Sequence, residues 1–497
     1  MRGAATVFSD YASVLGARVA AALLSLVGVL MMTRILDPAG YGVVAYVSVI
    51  ALLIYTVTSA WSSTAVSRYG REEFEDSGST IEVTWSRVAL TVPLLAIAAL
   101  IVVAIKLAGG FPPQLTWGLV WLAIALGTVL VVSEHIVYSL EAIGRMKTSA
   151  AQLLTRQLFV LAGLAVILVA GVDASPALIA GILMGGAALS AIVFGSRITR
   201  TSLWPPSTNP ALRRQILRFS APLIAFTLSQ YAIRSVDLIV IGAFVGASAV
   251  GVYAIAYQAY GVLQQLTTVS GPVLTPLFVS LRMAEQEELV DRYLERAVPQ
   301  LALIAATLMG VAVAFVGLVV PVVFGDAFAG ASDPLSILLL AIVLGFVANL
   351  VSPVLVLHER TKGIGVVTVV AALVNIVGDI LLVGPAGLHL TGPAIATSVA
   401  MATIVVGFVV IVRDCTSVRV TVPIASILPC VAGLVPALVL APALAVPVAI
   451  AATAACAAAV VVFAKPFERN DLDLISRLDI PSPLKRLTVR TLELTTR

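Results

Sequence analysis

The residues of this chain that could do chemistry are a few charged and polar side chains that interrupt long apolar segments. Gln230, Arg234 and Asp237 are spaced four and three residues apart in one such segment, so they would share one face of a helix. Arg18 interrupts the first apolar segment. A guanidinium binds phosphate oxygens through two parallel hydrogen bonds and stays charged. These residues are candidates for binding an anionic ligand, although Asp237 could instead neutralise Arg234 structurally.

A stripe of tyrosines follows in the next apolar segment. Tyr253, Tyr257 and Tyr260 recur at spacings of four and three, and Gln264 continues the stripe one turn later. Aromatic faces that carry hydroxyls suit stacking against sugar rings. Ordinary packing between helices accounts for the same pattern, so both interpretations remain open for the three tyrosines.

Acidic side chains within apolar segments form a further group of candidates. Glu134, Tyr138 and Glu141 lie one turn apart, as do Asn375 and Asp379. A carboxylate within a bilayer can bind a proton or Na⁺ and so couple an ion gradient to conformational change. Each acid could instead bond only to a neighbouring helix, and Glu141 is close enough to a membrane surface to be solvated. The ion-coupling candidates are Glu134, Asp237 and Asp379.

The composition identifies the elements that must position these residues as membrane-spanning helices. The chain has 497 residues, of which 60% are hydrophobic and 11% are charged, and its mean hydropathy is +1.08. Soluble globular domains do not reach such values. A span needs about 20 apolar residues, and the sequence offers about fourteen in succession. The expected spans are 11–33, 41–67, 87–107, 115–140, 151–171, 175–196, 217–244, 249–280, 297–323, 334–357, 363–384, 391–412, 424–441 and 446–464.

The basic residues predict the orientation of these spans. With the N-terminus in the cytoplasm, 24 of the 30 Lys and Arg residues fall in cytoplasmic segments, as the positive-inside rule requires. An even number of spans then places both termini in the cytoplasm. The formal charge of +4 reflects this topology and the anionic lipid surface beside it, so membrane lipids are expected partners and nucleic acid is not.

Enzymatic chemistry and cofactors are not expected. The sequence has no phosphate-binding Gly-rich loop with its Lys and no HExxH motif, so neither an ATPase nor a zinc site is indicated. The histidines and cysteines lack metal-ligand or disulfide spacing; they are His135, His358, His389, Cys415, Cys430 and Cys456. Energy for transport would then come from an H⁺ or Na⁺ gradient, the membrane potential or consumption of the product.

The order of spans suggests an internal duplication. A shift of 209 residues superimposes the span boundaries and pairs Gly42 with Gly251. Six spans per repeat give parallel repeats, which predicts two six-helix bundles in a pseudo-twofold arrangement around a central cavity. The expected divisions are an N-terminal bundle at 1–205, a C-terminal bundle at 206–420, an added helical hairpin at 421–464 and a cytoplasmic tail at 465–497. The tail is expected to form either an amphipathic helix or a disordered segment.

The turn between the first two spans carries a family resemblance. The segment Thr33–Gly42, which contains Asp-Pro-Ala-Gly-Tyr-Gly, resembles the same turn in polysaccharide-exporting members of the multidrug/oligosaccharidyl-lipid/polysaccharide (MOP) flippase superfamily. Asp-Pro-Ala-Gly favours a tight turn, and Tyr-Gly restarts the next helix close to the first. The related turn Gly246–Tyr253 in the second half and the number of spans extend the resemblance over the whole chain.

This resemblance implies a lipid-linked oligosaccharide flippase of the cytoplasmic membrane. Such a protein moves a polyprenyl-pyrophosphate-linked glycan to the outer face by alternating access, with polysaccharide polymerase and glycosyltransferases as partners. Arg18 and Arg234 would hold the diphosphate, and Gly and Pro kinks would supply flexibility. The alternatives are a MATE-type drug/cation antiporter, which usually has twelve spans and an acidic cavity, and a peptidoglycan lipid-precursor flippase. A membrane-embedded glycosyltransferase would need a large loop, and the loops here are short.

Overall fold

The protein is an all-α polytopic membrane protein, and the computed structural model describes residues 4–268, 270–284, 287–415 and 425–464. Within these residues the chain forms helices and short helical turns but no strands. The helices of the first part are α1 Ala4–Ile35, α2 Pro38–Thr58, α3 Ser63–Ser77, α4 Ile81–Leu107, α5 Trp117–Ala142, α6 Met146–Ala170, α7 Pro176–Gly195, α8 Pro210–Phe244 and α9 Ala247–Thr267. The remaining helices are α10 Ser270–Met283, α11 Glu287–Arg292, α12 Val298–Phe324, α13 Ser332–Leu357, α14 Thr361–Val383, α15 Thr391–Arg413, α16 Leu428–Val439 and α17 Pro442–Ala464.

Most of the expected spans are single long helices. Of the helices in the described ranges, 12 are long and apolar enough to cross a membrane. The expected eighth span, 249–280, is instead divided into α9 and α10. The expected thirteenth span is represented by α16, which has 12 residues and is too short to cross hydrocarbon by itself. The second span ends at Thr58, earlier than expected, because a short turn and the polar helix α3 follow it.

The described chain forms two compact units. The first contains the described residues within 4–266, 323–331 and 368–396, and the second contains those within 267–322, 332–367 and 397–464. The first unit therefore takes helices from both halves of the sequence. The expected division into bundles at 1–205 and 206–420 stays a prediction, and the expected tail at 465–497 lies outside the described residues.

Several helices of the first unit start at a capping residue followed by proline. The capping side chain accepts a hydrogen bond from an unpaired backbone N–H of the first turn, and proline fits there because its missing N–H would have no partner anyway. Oδ1 of Asp37, for example, accepts from the Gly40 amide at 2.8 Å. The pairs are Asp37-Pro38, Ser175-Pro176 and Asn209-Pro210. These caps fix where α2, α7 and α8 begin.

The two turns that the duplication relates meet each other within the first unit. A Cβ atom on Gly42 would overlap the carbonyl of Ala247, and a Cβ atom on Gly251 would overlap the carbonyl of Pro38. The shift of 209 residues relates Pro38 to Ala247 as it relates Gly42 to Gly251. The contact is therefore reciprocal, and only glycine allows the backbones to approach so closely. We call the end of the first unit that contains these two turns the turn end, and the opposite end, where α5 ends and α6 begins, the N-terminal end.

The polar segment Arg197–Arg218, which separates α7 from α8 and includes the first turns of α8, is attached to the start of α4. The indole Nε1 of Trp85 donates to the carbonyl of Leu203 at 2.9 Å, and Nδ2 of Asn209 donates to Oε2 of Glu82 at 2.9 Å. Oδ1 of Asn209 also caps α8. The segment is thus held in one path by hydrogen bonds to its neighbours.

Candidate functional site

A fully buried polar cluster involves α8, α9 and α14 of the first unit. Oδ2 of Asp237 accepts a hydrogen bond from the hydroxyl of Tyr253 at 2.6 Å, and both side chains are 0% exposed. Asn375 and Asp379 follow each other by one turn on α14, and they are also 0% exposed. The structure therefore brings together two of the acids that the sequence singled out as ion-coupling candidates.

Asp379 is the acid of this cluster with the fewest contacts. Neither of its carboxylate oxygens has a hydrogen-bond partner among the described residues, and it lies within electrostatic range of Asp237 and Tyr253. Burying a carboxylate without a partner is costly when it is ionised. Two carboxylates and an amide with this burial form an oxygen-rich site that could hold a proton or a small cation.

Arg234 lies one turn from Asp237 on α8, but the two side chains differ in exposure. Arg234 is exposed, whereas Asp237 is buried, and no hydrogen bond or ion pair joins Arg234 to another residue of the described chain. Its charge acts on the nearby Tyr257 and Tyr260. The interpretation that Asp237 neutralises Arg234 is therefore not favoured. Gln230, one turn earlier on α8, is partly exposed.

The tyrosine stripe of α9 is packed into the first unit. Tyr253 is 0% exposed and Tyr260 is 1% exposed, while Tyr257 lies between them with its ring centroid 6.0 Å from that of Tyr253. The centroids of Tyr257 and Tyr260 are 5.4 Å apart. Because the flanking rings are buried, the packing interpretation holds for Tyr253 and Tyr260, and only Tyr257 retains exposed surface.

The other candidates lie on α1 and α5. Arg18 is 4.0 Å from Oε1 of Glu141, with side-chain exposures of 51% and 15%. Glu141 is in the last turn of α5 and also accepts from the Ser149 hydroxyl at 3.1 Å. Arg18 is 17 residues from the end of α1, about 26 Å along its axis, so it lies near the N-terminal end of the first unit.

Glu134 has a partner that its sequence context does not reveal. Nη1 of Arg156, on α6, donates to Oε1 of Glu134 at 3.0 Å. The side chains of Arg156 and Glu134 are 26% and 21% exposed. The spacing of 22 residues between Glu134 and Arg156 carries no periodic signal. A carboxylate already paired with a guanidinium is poorly suited to bind a coupling cation.

Arg87 is a second residue whose role the sequence did not reveal. It is 2% exposed, and it donates to the Ser59 carbonyl, the Ser62 hydroxyl and the Ser63 hydroxyl, each at 3.0 Å. Its Nη1 is 2.8 Å from Nδ1 of His135. Arg87 thus links α4 and α5 to the turn between α2 and α3, which is a structural role.

Comparison with known proteins agrees with this architecture. A family model described as "Polysaccharide biosynthesis protein" matches residues 7–282, which is more than half of the chain. The structure is similar to lipid II flippase MurJ in an inward closed conformation, with 14% sequence identity, a TM-score of 0.63 and coverage of 90% of this chain and 98% of that chain. No curated protein matches the chain.

Two MATE transporters have related structures. An inward-facing multidrug resistance MATE transporter of the MOP superfamily gives 17% identity and a TM-score of 0.56, over 79% of this chain and 94% of that chain. The eukaryotic MATE transporter AtDTX14 gives 15% identity and a TM-score of 0.55, over 85% and 98%. At such low sequence identity, the structural similarity shows only that these proteins share a fold. With the family match, this similarity establishes that this chain belongs to the polysaccharide biosynthesis protein family and has the fold of MOP-superfamily transporters.

Proposed function

We propose that the protein is a flippase for a polyprenyl-pyrophosphate-linked glycan in the cytoplasmic membrane. Glycosyltransferases would supply this substrate on the cytoplasmic face, and a polysaccharide polymerase would consume it outside. The family match supports this substrate class, and the observation that carries the proposal is Arg234, an exposed cation without a hydrogen-bonding or ion-pairing partner in the described chain.

The position of Arg234 is the reason that it matters. It is ten residues from the end of α8 at Phe244, which corresponds to about 15 Å along the helix and hence to the middle of a bilayer. A charged side chain at that depth must face water or a polar ligand, because exposure to lipid is costly. A diphosphate fits this guanidinium, which offers several N–H donors and a fixed positive charge. Gln230 would contribute an amide one turn away.

Arg18 would bind the diphosphate at an earlier stage. It lies near the N-terminal end of the first unit, and its contact of 4.0 Å with Glu141 leaves most of its hydrogen-bonding capacity available. In our proposal the head group first meets Arg18 and then moves to Arg234, while the polyprenyl chain remains in the bilayer. The positive-inside distribution of Lys and Arg supports a cytoplasmic location for both termini, and so for this end of the unit.

The buried acids would couple transport to an ion gradient. Asp237 and Asp379 lie on α8 and α14, and occupation of Asp379 by H⁺ or Na⁺ would remove the cost of an ionised carboxylate without a partner. The same helix α8 carries Arg234. Ion binding and release at Asp379 could therefore shift α8 between a state that holds the diphosphate and a state that releases it. Coupling requires that the ion bind these two states with different affinities.

The contact of Gly42 with Ala247 and of Gly251 with Pro38 supports alternating access. These contacts close the turn end of the first unit by backbone contact. Export would require them to separate so that the head group could leave at that end. The glycines allow this close contact of the backbones.

A substrate panel in proteoliposomes tests the proposed function. The purified protein would be offered a polyprenyl-pyrophosphate-linked oligosaccharide, lipid II and an organic cation such as ethidium. The proposal expects translocation of the oligosaccharide lipid. Translocation of lipid II alone would identify a peptidoglycan-precursor flippase, and export of ethidium alone would identify a drug/cation antiporter.

A further inference from the structure

The ion pair of Glu134 and Arg156 lies deep within the first unit yet keeps exposed surface. Glu134 is eight residues from the end of α5 at Ala142, and Arg156 is ten residues from the start of α6 at Met146. These counts place both about 12 to 15 Å from the N-terminal end. Charged groups that remain partly exposed at such depth face water or a polar ligand rather than lipid. The exposed part of the pair is therefore expected to face water or a polar ligand.

The contacts of the pair leave most of its hydrogen-bonding capacity unused. A guanidinium carries five N–H donors, and Arg156 uses one of them on Glu134 within the described chain. Arg87 provides a contrast, because its three nitrogens bond to four neighbouring residues and only 2% of it is exposed. Arg87 is arranged to hold the protein together, whereas the side chain of Arg156 makes one hydrogen bond within the described chain and stays 26% exposed.

The charge of the pair limits what it can bind. Glu134 and Arg156 neutralise each other, so the pair offers little net attraction to a diphosphate or to a free cation. A carboxylate that only accepts hydrogen bonds and a guanidinium that only donates them are complementary to neutral groups that do both. Hydroxyl and amide groups have this property. A sugar carries several hydroxyl groups on adjacent carbons. Their hydrogen bonds to an ionised carboxylate or guanidinium are stronger than those between neutral groups.

The neighbouring residues extend this surface towards the N-terminal end. Tyr138 is one turn after Glu134 and is partly exposed, and its hydroxyl lies within electrostatic range of both Glu134 and Glu141. Arg18 then lies beside Glu141. Acceptors and donors thus alternate from Arg156 to Arg18, an arrangement that suits an extended, hydroxyl-rich ligand.

We infer that the Glu134–Arg156 pair is a glycan subsite that binds the neutral hydroxyl and amide groups of the sugar next to the diphosphate. This inference rests on the proposed function and adds to it a separation of tasks. Arg234 and Arg18 recognise the diphosphate, which every lipid-linked glycan shares, whereas the Glu134–Arg156 pair recognises the sugar. The competing role for the pair is only to join α5 to α6, and the two roles predict different ligand dependence.

Binding to two lipids in nanodiscs distinguishes these roles. The probes are undecaprenyl diphosphate and undecaprenyl diphosphate that carries one N-acetylglucosamine, measured with wild type, Glu134→Gln, Arg156→Lys and the double variant Glu134→Gln/Arg156→Gln. Arg156→Lys keeps the charge that pairs with Glu134 but loses the planar fork. We expect each variant to bind the sugar-bearing lipid about tenfold more weakly and to bind bare undecaprenyl diphosphate with less than about a twofold change.

A control and the remaining outcomes complete the test. Arg71 and Glu75 form an exposed ion pair on α3 at 2.7 Å, and the double variant Arg71→Gln/Glu75→Gln should bind both probes like wild type. Equal weakening of both probes in the Arg156→Lys variant, or no weakening of either, would overturn the subsite and favour a purely structural pair. Wild-type binding of the two lipids with equal affinity would also overturn it while leaving the flippase proposal intact. Failure of wild type to bind either lipid would overturn both.

Discussion

The hydroxyl of Tyr253 donates a 2.6 Å hydrogen bond to Asp237, and neither side chain has any exposed surface. This bond joins α9 to α8 inside the first unit and gives one of the buried acids a fixed partner. Asp379, on α14, has no comparable partner among the described residues. The two acids therefore differ. An ion can bind Asp379 at a lower free-energy cost than Asp237, because it does not have to compete with a hydrogen bond such as that from Tyr253.

Replacing Asp379 with asparagine should uncouple transport from the ion gradient. The amide has nearly the same shape but can neither release a proton nor neutralise Na⁺. Translocation by Asp379→Asn proteoliposomes should proceed at the same rate with and without an imposed H⁺ or Na⁺ gradient, whereas wild type should respond to one of them. Tyr253→Phe serves as the comparison, because it keeps both carboxyl groups and should keep the gradient response. A gradient response in Asp379→Asn equal to that of wild type would remove this residue from the coupling site.

The reciprocal turn contact predicts a specific sensitivity to added methyl groups. Gly42→Ala and Gly251→Ala each place a Cβ atom into a backbone carbonyl, so each should destabilise the closed turn end by about 1–3 kcal/mol. Thermal unfolding in detergent should report this loss. Gly181→Ala on α7 is the matched control, since no atom lies within 4 Å of its added Cβ. Unfolding temperatures of Gly42→Ala and Gly251→Ala at or above that of Gly181→Ala would show that the two turns are not in contact.

Arg87 should matter for stability more than for substrate choice. Lysine keeps the charge, but its single nitrogen cannot form hydrogen bonds with Ser59, Ser62, Ser63 and His135 at the same time. Arg87→Lys should therefore lower the free energy of unfolding by about 2–3 kcal/mol. Thermal unfolding with and without the lipid-linked substrate measures both effects, and the stabilisation by substrate should be unchanged. The exposed Arg71 provides the control, because Arg71→Gln should change stability by less than about 0.5 kcal/mol. Equal stability of Arg87→Lys and Arg71→Gln would contradict the structural role.

Most of the membrane architecture could be predicted from the sequence. A long apolar segment crosses a bilayer as a helix, because a helix satisfies the backbone hydrogen bonds within the segment itself. It also identified Asn375 and Asp379 as polar residues of the bundle interior and Asp237 as part of a polar stripe on α8, since a polar side chain in an apolar span usually faces the interior of the bundle rather than lipid. Their assembly into one cluster could not be read from spacing, because α8 and α14 are more than a hundred residues apart.

Pairing across helices accounts for the residues whose roles the sequence did not reveal. Arg156 and Arg87 both lie near helix ends in the sequence, where a basic residue usually meets lipid head groups. Only the packing of α5 against α6, and of α4 against the turn after α2, directs them inward. The expected thirteenth span contains enough apolar residues, but the helix α16 within it is only 12 residues long.

The measurement that tests the central claim most directly is translocation of a polyprenyl-pyrophosphate-linked oligosaccharide in proteoliposomes by wild type and Arg234→Gln at equal incorporation. Arg214→Gln is the control, because Arg214 is exposed in the first turns of α8, far from the middle of the bilayer. We expect wild type and Arg214→Gln to translocate the lipid and Arg234→Gln to lose at least about tenfold in rate, which corresponds to one charge-assisted hydrogen bond. Translocation by Arg234→Gln at the wild-type rate would contradict the claim that this guanidinium holds the diphosphate.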